Sequence, residues 1–114
     1  LIFCNEEHDK IGIVKFYSID HENRNCVLGA DIHKDFRGKG FAKPMWNMML
    51  HHCFDELNLH RVSLTTAEFN FIAQKVYMQL GFKIEGTMKE SLFRNGKFWD
   101  QICMSLIRKQ WLSG

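Results

Sequence analysis

Residues Asp31 to Lys43 read DIHKDFRGKGFAK, which sets Gly38 and Gly40 among Lys34, Arg37, Lys39 and Lys43. Glycine gives a turn access to positive φ and lets a ligand approach the main chain, while neighbouring cations favour an anion. Where such a turn opens a helix, its N–H groups and the positive end of the helix dipole point the same way. The chemistry this pattern supports is capture of a diphosphate. A Walker A loop would need glycine at 33 and serine or threonine at 40, where His33 and Gly40 stand. A dinucleotide fingerprint fails at Lys43, which occupies its third glycine position. The RNA-recognition octamer accepts Lys39-Gly40-Phe41-Ala42 as its first half, then meets Lys43 and Pro44 where strand residues belong. An RNA-binding domain is therefore the lesser alternative.

The segment lies between two kinds of periodicity. Before it, residues 1–4, 11–19 and 26–32 are apolar runs separated by polar turns, the pattern of three consecutive antiparallel strands. After it, Ala42, Met45, Trp46, Met49, Leu50, Cys53, Phe54 and Leu57 recur at the spacing of an amphipathic helix, with Pro44 in the first turn where proline is tolerated. A short strand at 62–66 follows, so the helix is a crossover and the two strands it joins are parallel. A second helix runs from Asn70, a good N-cap, to Gly81, where a C-terminal cap belongs. Residues 82–93 and 98–107 are strand-like and joined by Arg94-Asn95-Gly96-Lys97, whose Asn-Gly pair suits a type I′ turn. The predicted order is β-β-β-α-β-α-β-β, an α/β sandwich with a mixed, mostly antiparallel sheet.

At 114 residues, 46% hydrophobic and 25% charged with a single proline, the chain is expected to form one folded domain over residues 1–114 without low-complexity linkers. A net charge of +2 is too small to argue for nucleic acid or an anionic membrane as partner. Cys4, Cys26, Cys53 and Cys103 are widely spaced, with no zinc pattern, and are expected to be reduced thiols of a cytoplasmic protein. His51 and His52 are adjacent and project about 100° apart on a helix, unlike an i, i+4 metal pair. No metal is expected. No apolar run approaches a membrane span and no signal peptide is visible. The chain begins with Leu1 in an apolar run, which reads as the loss of an N-terminal piece.

Arg37-Gly38-Lys39-Gly40-Phe41-Ala42 matches [QR]-x-x-G-x-[GA], and it stands between a strand and a helix. This resembles the coenzyme A pyrophosphate loop of the GNAT acetyltransferases. Downstream, Asn70-x-x-Ala73-x-x-x-Tyr77-x-x-x-Gly81-Phe82 reproduces the second signature of that family. Residues 85–100 are similar to the last hairpin of the branch that contains ribosomal-protein N-terminal alanine acetyltransferases. The resemblance covers residues 11–111 and implies the GNAT fold with a splayed central parallel pair, minus its usual first strand and first two helices.

The resemblance also implies roles. The backbone of Ala30 to Ile32 would hydrogen-bond the pantetheine arm of acetyl-coenzyme A, and the main-chain amides of Gly38, Lys39, Gly40, Phe41 and Ala42 would hold its diphosphate. Arg37, Lys39 and Lys43 would add charge-assisted contacts, and Asn70 would border the arm. Tyr77 matches the tyrosine that protonates the departing thiolate, a general-acid role. The base is not given by the resemblance, since Thr65 stands where related enzymes place a glutamate. Asp31, Glu68 and His33 are the titratable candidates nearby. Asp31 is either an acid desolvated inside an apolar strand or one facing solvent. The expected function is direct acetyl transfer to a primary amine, either a protein N-terminus or a small molecule. The alternative is an inactive acyl-coenzyme A-binding module. The final strand and Trp111 are expected either to pack against a second copy, as in a homodimer, or merely to cap the core.

Overall fold

The computed structural model of the chain describes residues 2–4, 10–32, 35 and 37–113; the expectations that fall on His33, on the turn at 5–9 and on the Cys4 side chain lie outside them. The strands are β1 (Ile2–Cys4), β2 (Lys10–Asp20), β3 (Asn25–Ile32), β4 (Arg61–Ala67), β5 (Lys83–Arg94) and β6 (Lys97–Ile107). Helix α1 (Ala42–His51) crosses from β3 to β4, α2 (Phe71–Leu80) lies between β4 and β5, and α3 (Arg108–Ser113) ends the described chain. The predicted element order holds, and α3, which no strong periodicity announces, is added to it.

The six strands form one sheet in the order β1-β2-β3-β4-β6-β5. Neighbours are antiparallel except β3 and β4, the pair that α1 connects. The final strand, β6, lies between β4 and β5 and is interior, and β5 forms the edge. Asn95 and Gly96 take φ values of 53° and 78° at the β5–β6 reversal, as a type I′ turn requires.

Side chains alternate across a strand, so the sheet can bury one face. Val14, Leu28, Val62, Leu64, Met104 and Leu106 supply that face, and Met45, Trp46, Met49 and Leu50 of α1 close on it. Cys26 and Cys53 are free thiols inside this core, and Cys103 is a half-buried free thiol. Trp111 of α3 packs against Phe54 and His51, with ring centroids 5.0 and 4.9 Å apart, so it caps the core within the chain.

The first helix departs from the expected uniform stripe. From His52 to Glu56 it widens into a π-helical turn, closed by Leu57 N–H donating to the His52 carbonyl at 2.9 Å. His51 and His52 pair with Asp55 and Glu56 one turn on, at 3.1 and 2.9 Å, rather than with each other. Arg108 donates to the Phe54 carbonyl at 2.8 Å and so gives the widened turn a cationic partner for its C-terminal end.

Phe54 is fully buried beneath Trp111. Phe54→Ala is expected to lower the unfolding free energy by about 3–5 kcal/mol, read from urea denaturation. A loss below about 1 kcal/mol would show that this side chain does not anchor the core.

Candidate active site

β3 and β4 pair only through Asn25↔Arg61, Cys26↔Val62 and Val27↔Ser63. Beyond these three positions each strand stays bonded on its outer side alone: β3 to β2 as far as Gly12↔Ile32, β4 to β6 as far as Ala67↔Gln101. The inner edges of residues 28–32 and 64–67 therefore part. Peptide groups on such an edge retain hydrogen-bonding capacity, and an extended ligand can satisfy it as an added strand would.

Two helix starts flank the parting. At the end of β3, a turn over residues 37–40 places Gly38 and Gly40 at φ 75° and 83°, left-handed values that glycine adopts without strain. Among the described residues, the N–H groups of Gly38, Lys39, Gly40 and Ala42 find no acceptor. Phe41 initiates α1, its carbonyl accepting from Met45 N–H at 3.1 Å. Lys43 and Pro44 are helical, which removes the strand on which the RNA-recognition octamer depended.

The second helix is fixed at both ends by the residues the sequence singled out. Asn70 caps it, accepting from Ala73 N–H at 3.2 Å. At the other end Gly81 sits at φ 104°, with Gly81 N–H donating to Met78 and Phe82 N–H to Tyr77. This paired closure is a Schellman motif. Its hydrophobic contact is Tyr77 against Phe82, ring centroids 5.9 Å apart. The cap thereby orients the tyrosine, and Trp46 of α1 meets the same ring edge-on at 5.3 Å.

These elements enclose a cleft of about 580 Å³ lined by Ala30, Asp31, Ile32, Arg37, Gly38, Ala42, Asn70 and Tyr77 among others. A second recess of about 310 Å³ continues along Gly40, Phe41, Ala42 and Lys43, sharing Ile32, Gly38, Ile72 and Val76 with the first. Most of the predicted site is thus brought to one groove. Lys39 is exposed and lines neither recess. Glu68 is half-buried beyond the end of β4 and also lies outside both linings. Thr65 is exposed on β4.

The charged groups adopt a definite arrangement. Arg37 folds back from the loop, its Nε donating to the Ile32 carbonyl at 2.8 Å and its Nη2 meeting Asp31 Oδ1 at 3.2 Å. One carbonyl of the stretch expected to bind the arm is thus occupied by a side chain. Asp31 is exposed and ion-paired, so of its two readings the solvent-facing one holds. Burial pushes the Tyr77 phenol above its ordinary value, which keeps it protonated and able to donate at neutral pH. Among the described residues no group of His, Cys, Asp and Glu is placed to hold a metal ion. No helix is long and apolar enough to cross a membrane.

Sequence reasoning missed Met45, Trp46, Ile72, Val76 and Arg94 as cleft residues. The first four carry a helical repeat that reads as core, and their shared face with Tyr77 was the available signal. Arg94 carried none, because its place depends on where the distant hairpin folds.

A family model described as an acetyltransferase (GNAT) domain matches residues 1–83. The SPbeta prophage-derived uncharacterized N-acetyltransferase YokL of Bacillus subtilis is 29% identical over 109 residues, 96% of this chain and 62% of that protein. The spermidine N(1)-acetyltransferase of Vibrio cholerae is 33% identical over 103 residues, 90% of this chain and 60% of that protein. A crystal structure of spermidine N-acetyltransferase from Vibrio cholerae in complex with CoA and spermine superposes with a TM-score of 0.94 at 31% identity, covering 97% of this chain and 66% of that one. The chain spans less than two thirds of the length of these curated relatives.

The raised phenol sets a pH dependence. The folded state binds the Tyr77 proton more tightly than the unfolded state, so this contribution is complete below the ordinary value of 10.0 and is lost as pH rises through the folded value. Denaturation midpoints from neutral pH to about pH 11 are expected to fall less steeply at the alkaline end for Tyr77→Phe than for wild type. Identical alkaline slopes would contradict the burial of this hydroxyl.

Proposed function

The chain belongs to the GNAT acetyltransferase family, and from that premise we propose that it transfers the acetyl group of acetyl-coenzyme A directly to a primary amine. The observation that carries this reading is that the parted inner edges of β3 and β4, the turn residues Gly38 and Ala42 with their open amides, and Tyr77 all border one groove. A cofactor with an anionic diphosphate, an amide-bearing arm and a thioester at its far end has chemistry complementary to each in turn. The structural neighbour bound to CoA and spermine supports the same pairing of ligands.

In this reading the diphosphate rests on the amides of Gly38, Lys39, Gly40 and Ala42 and the positive end of α1, with Arg37 and Lys43 as charge partners. The pantetheine arm hydrogen-bonds the inner edge of β3 at Ala30 to Ile32 and passes Asn70. The acceptor nitrogen attacks the thioester carbonyl, the carbon–sulfur bond breaks, and the leaving thiolate takes the Tyr77 proton. Asp31 is the carboxylate in the cleft lining and is assigned the proton lost by the amine, directly or through water. Its present partner Arg37 is released when the more highly charged diphosphate competes for the guanidinium. Glu68, outside the lining, drops out of the reaction.

Thiol release from acetyl-coenzyme A on addition of an amine panel tests the proposal. Tyr77→Phe is expected to lower kcat by about 10²–10⁴-fold while cofactor affinity changes little. Gly40→Val is expected to abolish calorimetric binding of acetyl-coenzyme A: no atom crowds a Cβ there, but its φ of 83° is strained for valine and the turn must re-form. Binding that survives Gly40→Val, or turnover indifferent to Tyr77→Phe, would sink this assignment.

A further inference from the structure

The cleft has a charge pattern that the transfer reaction does not itself require. A third recess, of about 290 Å³, lies beside Ile13, Lys15, Tyr17 and Gly29 and shares Ala30 and Asp31 with the main cleft. Among the described residues, the charged groups lining these recesses are Lys15, Arg37, Lys43 and Arg94 against Asp31. Asp31 is already paired with Arg37. Arg37 and Lys43 stand at the turn side, where a diphosphate has use for them. Arg94 does not: it reaches the cleft from the β5–β6 reversal, beside Asn70 and Ile72.

Arg94 is held in place without being neutralised. Its carbonyl accepts from Trp99 Nε1 at 2.9 Å, and Trp99 is braced by Phe69, rings 5.0 Å apart, and by Lys97 Nζ 3.8 Å above its ring. The Arg94 guanidinium lies over Phe69 at 5.9 Å. Among the described residues no carboxylate pairs with it. A guanidinium poised in this way offers parallel N–H donors to an oxygen acceptor.

We infer that Arg94 selects the acceptor by donating to a carbonyl or carboxylate oxygen close to the reacting amine, so that the cleft takes amino-acid and peptide amines in preference to polyamines. The inference rests on the acetyl-transfer reading and adds the substrate class to it. A peptide α-amine carries its carbonyl beside the nitrogen and presents one positive charge. A polyamine carries a second ammonium, which among the described lining residues meets Lys15 and Arg94, while Asp31, the carboxylate among them, is already committed to the reacting amine. Specificity then arises from an attraction to one acceptor and a repulsion of the other.

The test compares glycylglycine with 1,4-diaminobutane as acceptors at saturating acetyl-coenzyme A, in wild type, Arg94→Ala and Arg94→Lys. Wild type is expected to favour the dipeptide in kcat/KM by about tenfold or more, through KM. Arg94→Ala is expected to shrink that ratio by about tenfold and Arg94→Lys to restore part of it. Cofactor affinity, measured separately by calorimetry, is expected to stay within about twofold of wild type, which separates acceptor recognition from a phosphate contact. Preference of wild type for the diamine, an unchanged ratio in Arg94→Ala, or a matching loss of cofactor affinity would each overturn the inference. If wild type releases no thiol with either amine, the acetyl-transfer reading fails and this one with it; thiol release with an unchanged ratio defeats this inference alone.

Discussion

Three register positions of parallel pairing, followed by separation, are the constraint on which this molecule turns. β3 and β4 are pinned together at Asn25–Val27 and Arg61–Ser63, and each is then carried outward by its other neighbour. The opening is held by packing. Leu28 and Leu64 still bury their side chains where the backbones part, and Trp46, edge-on to both Tyr77 and Phe82, fills the angle beneath α1 and α2. Peptide groups parted in this way exchange hydrogen bonds to one another for hydrogen bonds to water or to a ligand.

The ends of the gap are as specific as its sides. The 37–40 turn leaves main-chain donors free because two of its residues adopt positive φ. Arg37 meanwhile bonds back to Ile32 and Asp31, keeping the end of β3 ordered and a cation close to the turn. Tyr77 is the opposite case, a polar tip on a largely buried ring that burial keeps protonated. A turn with open main-chain donors and a buried, protonated phenol thus border one groove.

Much of this was legible because it is written locally. Asn70 and Gly81 mark the ends of α2 through capping chemistry that needs only neighbouring residues, and Asn95-Gly96 marks the hairpin by its φ requirement. The glycine turn and the stripe of α1 were readable for the same reason. What escaped the sequence depends on distant contacts. The π-helical turn at 52–56 is stitched by Arg108, more than fifty residues on, and α3 is too short to show a period. Asp31 was ambiguous because a strand residue at a parted edge can face either way, and its pairing with Arg37 follows from the turn's fold-back. Arg94 entered the cleft through the geometry of a hairpin that nothing near residue 94 encodes.

The proposed function depends on the main-chain amides of Gly38, Lys39, Gly40 and Ala42 being open to a diphosphate. Amide chemical-shift mapping of isotopically labelled protein tests it most directly, with coenzyme A and, separately, pantetheine as titrants. Large shifts are expected at Gly38, Lys39 and Gly40 with coenzyme A and none there with pantetheine, while Ala30 to Ile32 respond to both. Amides of the turn that stay unmoved by coenzyme A, with shifts confined elsewhere, would contradict it.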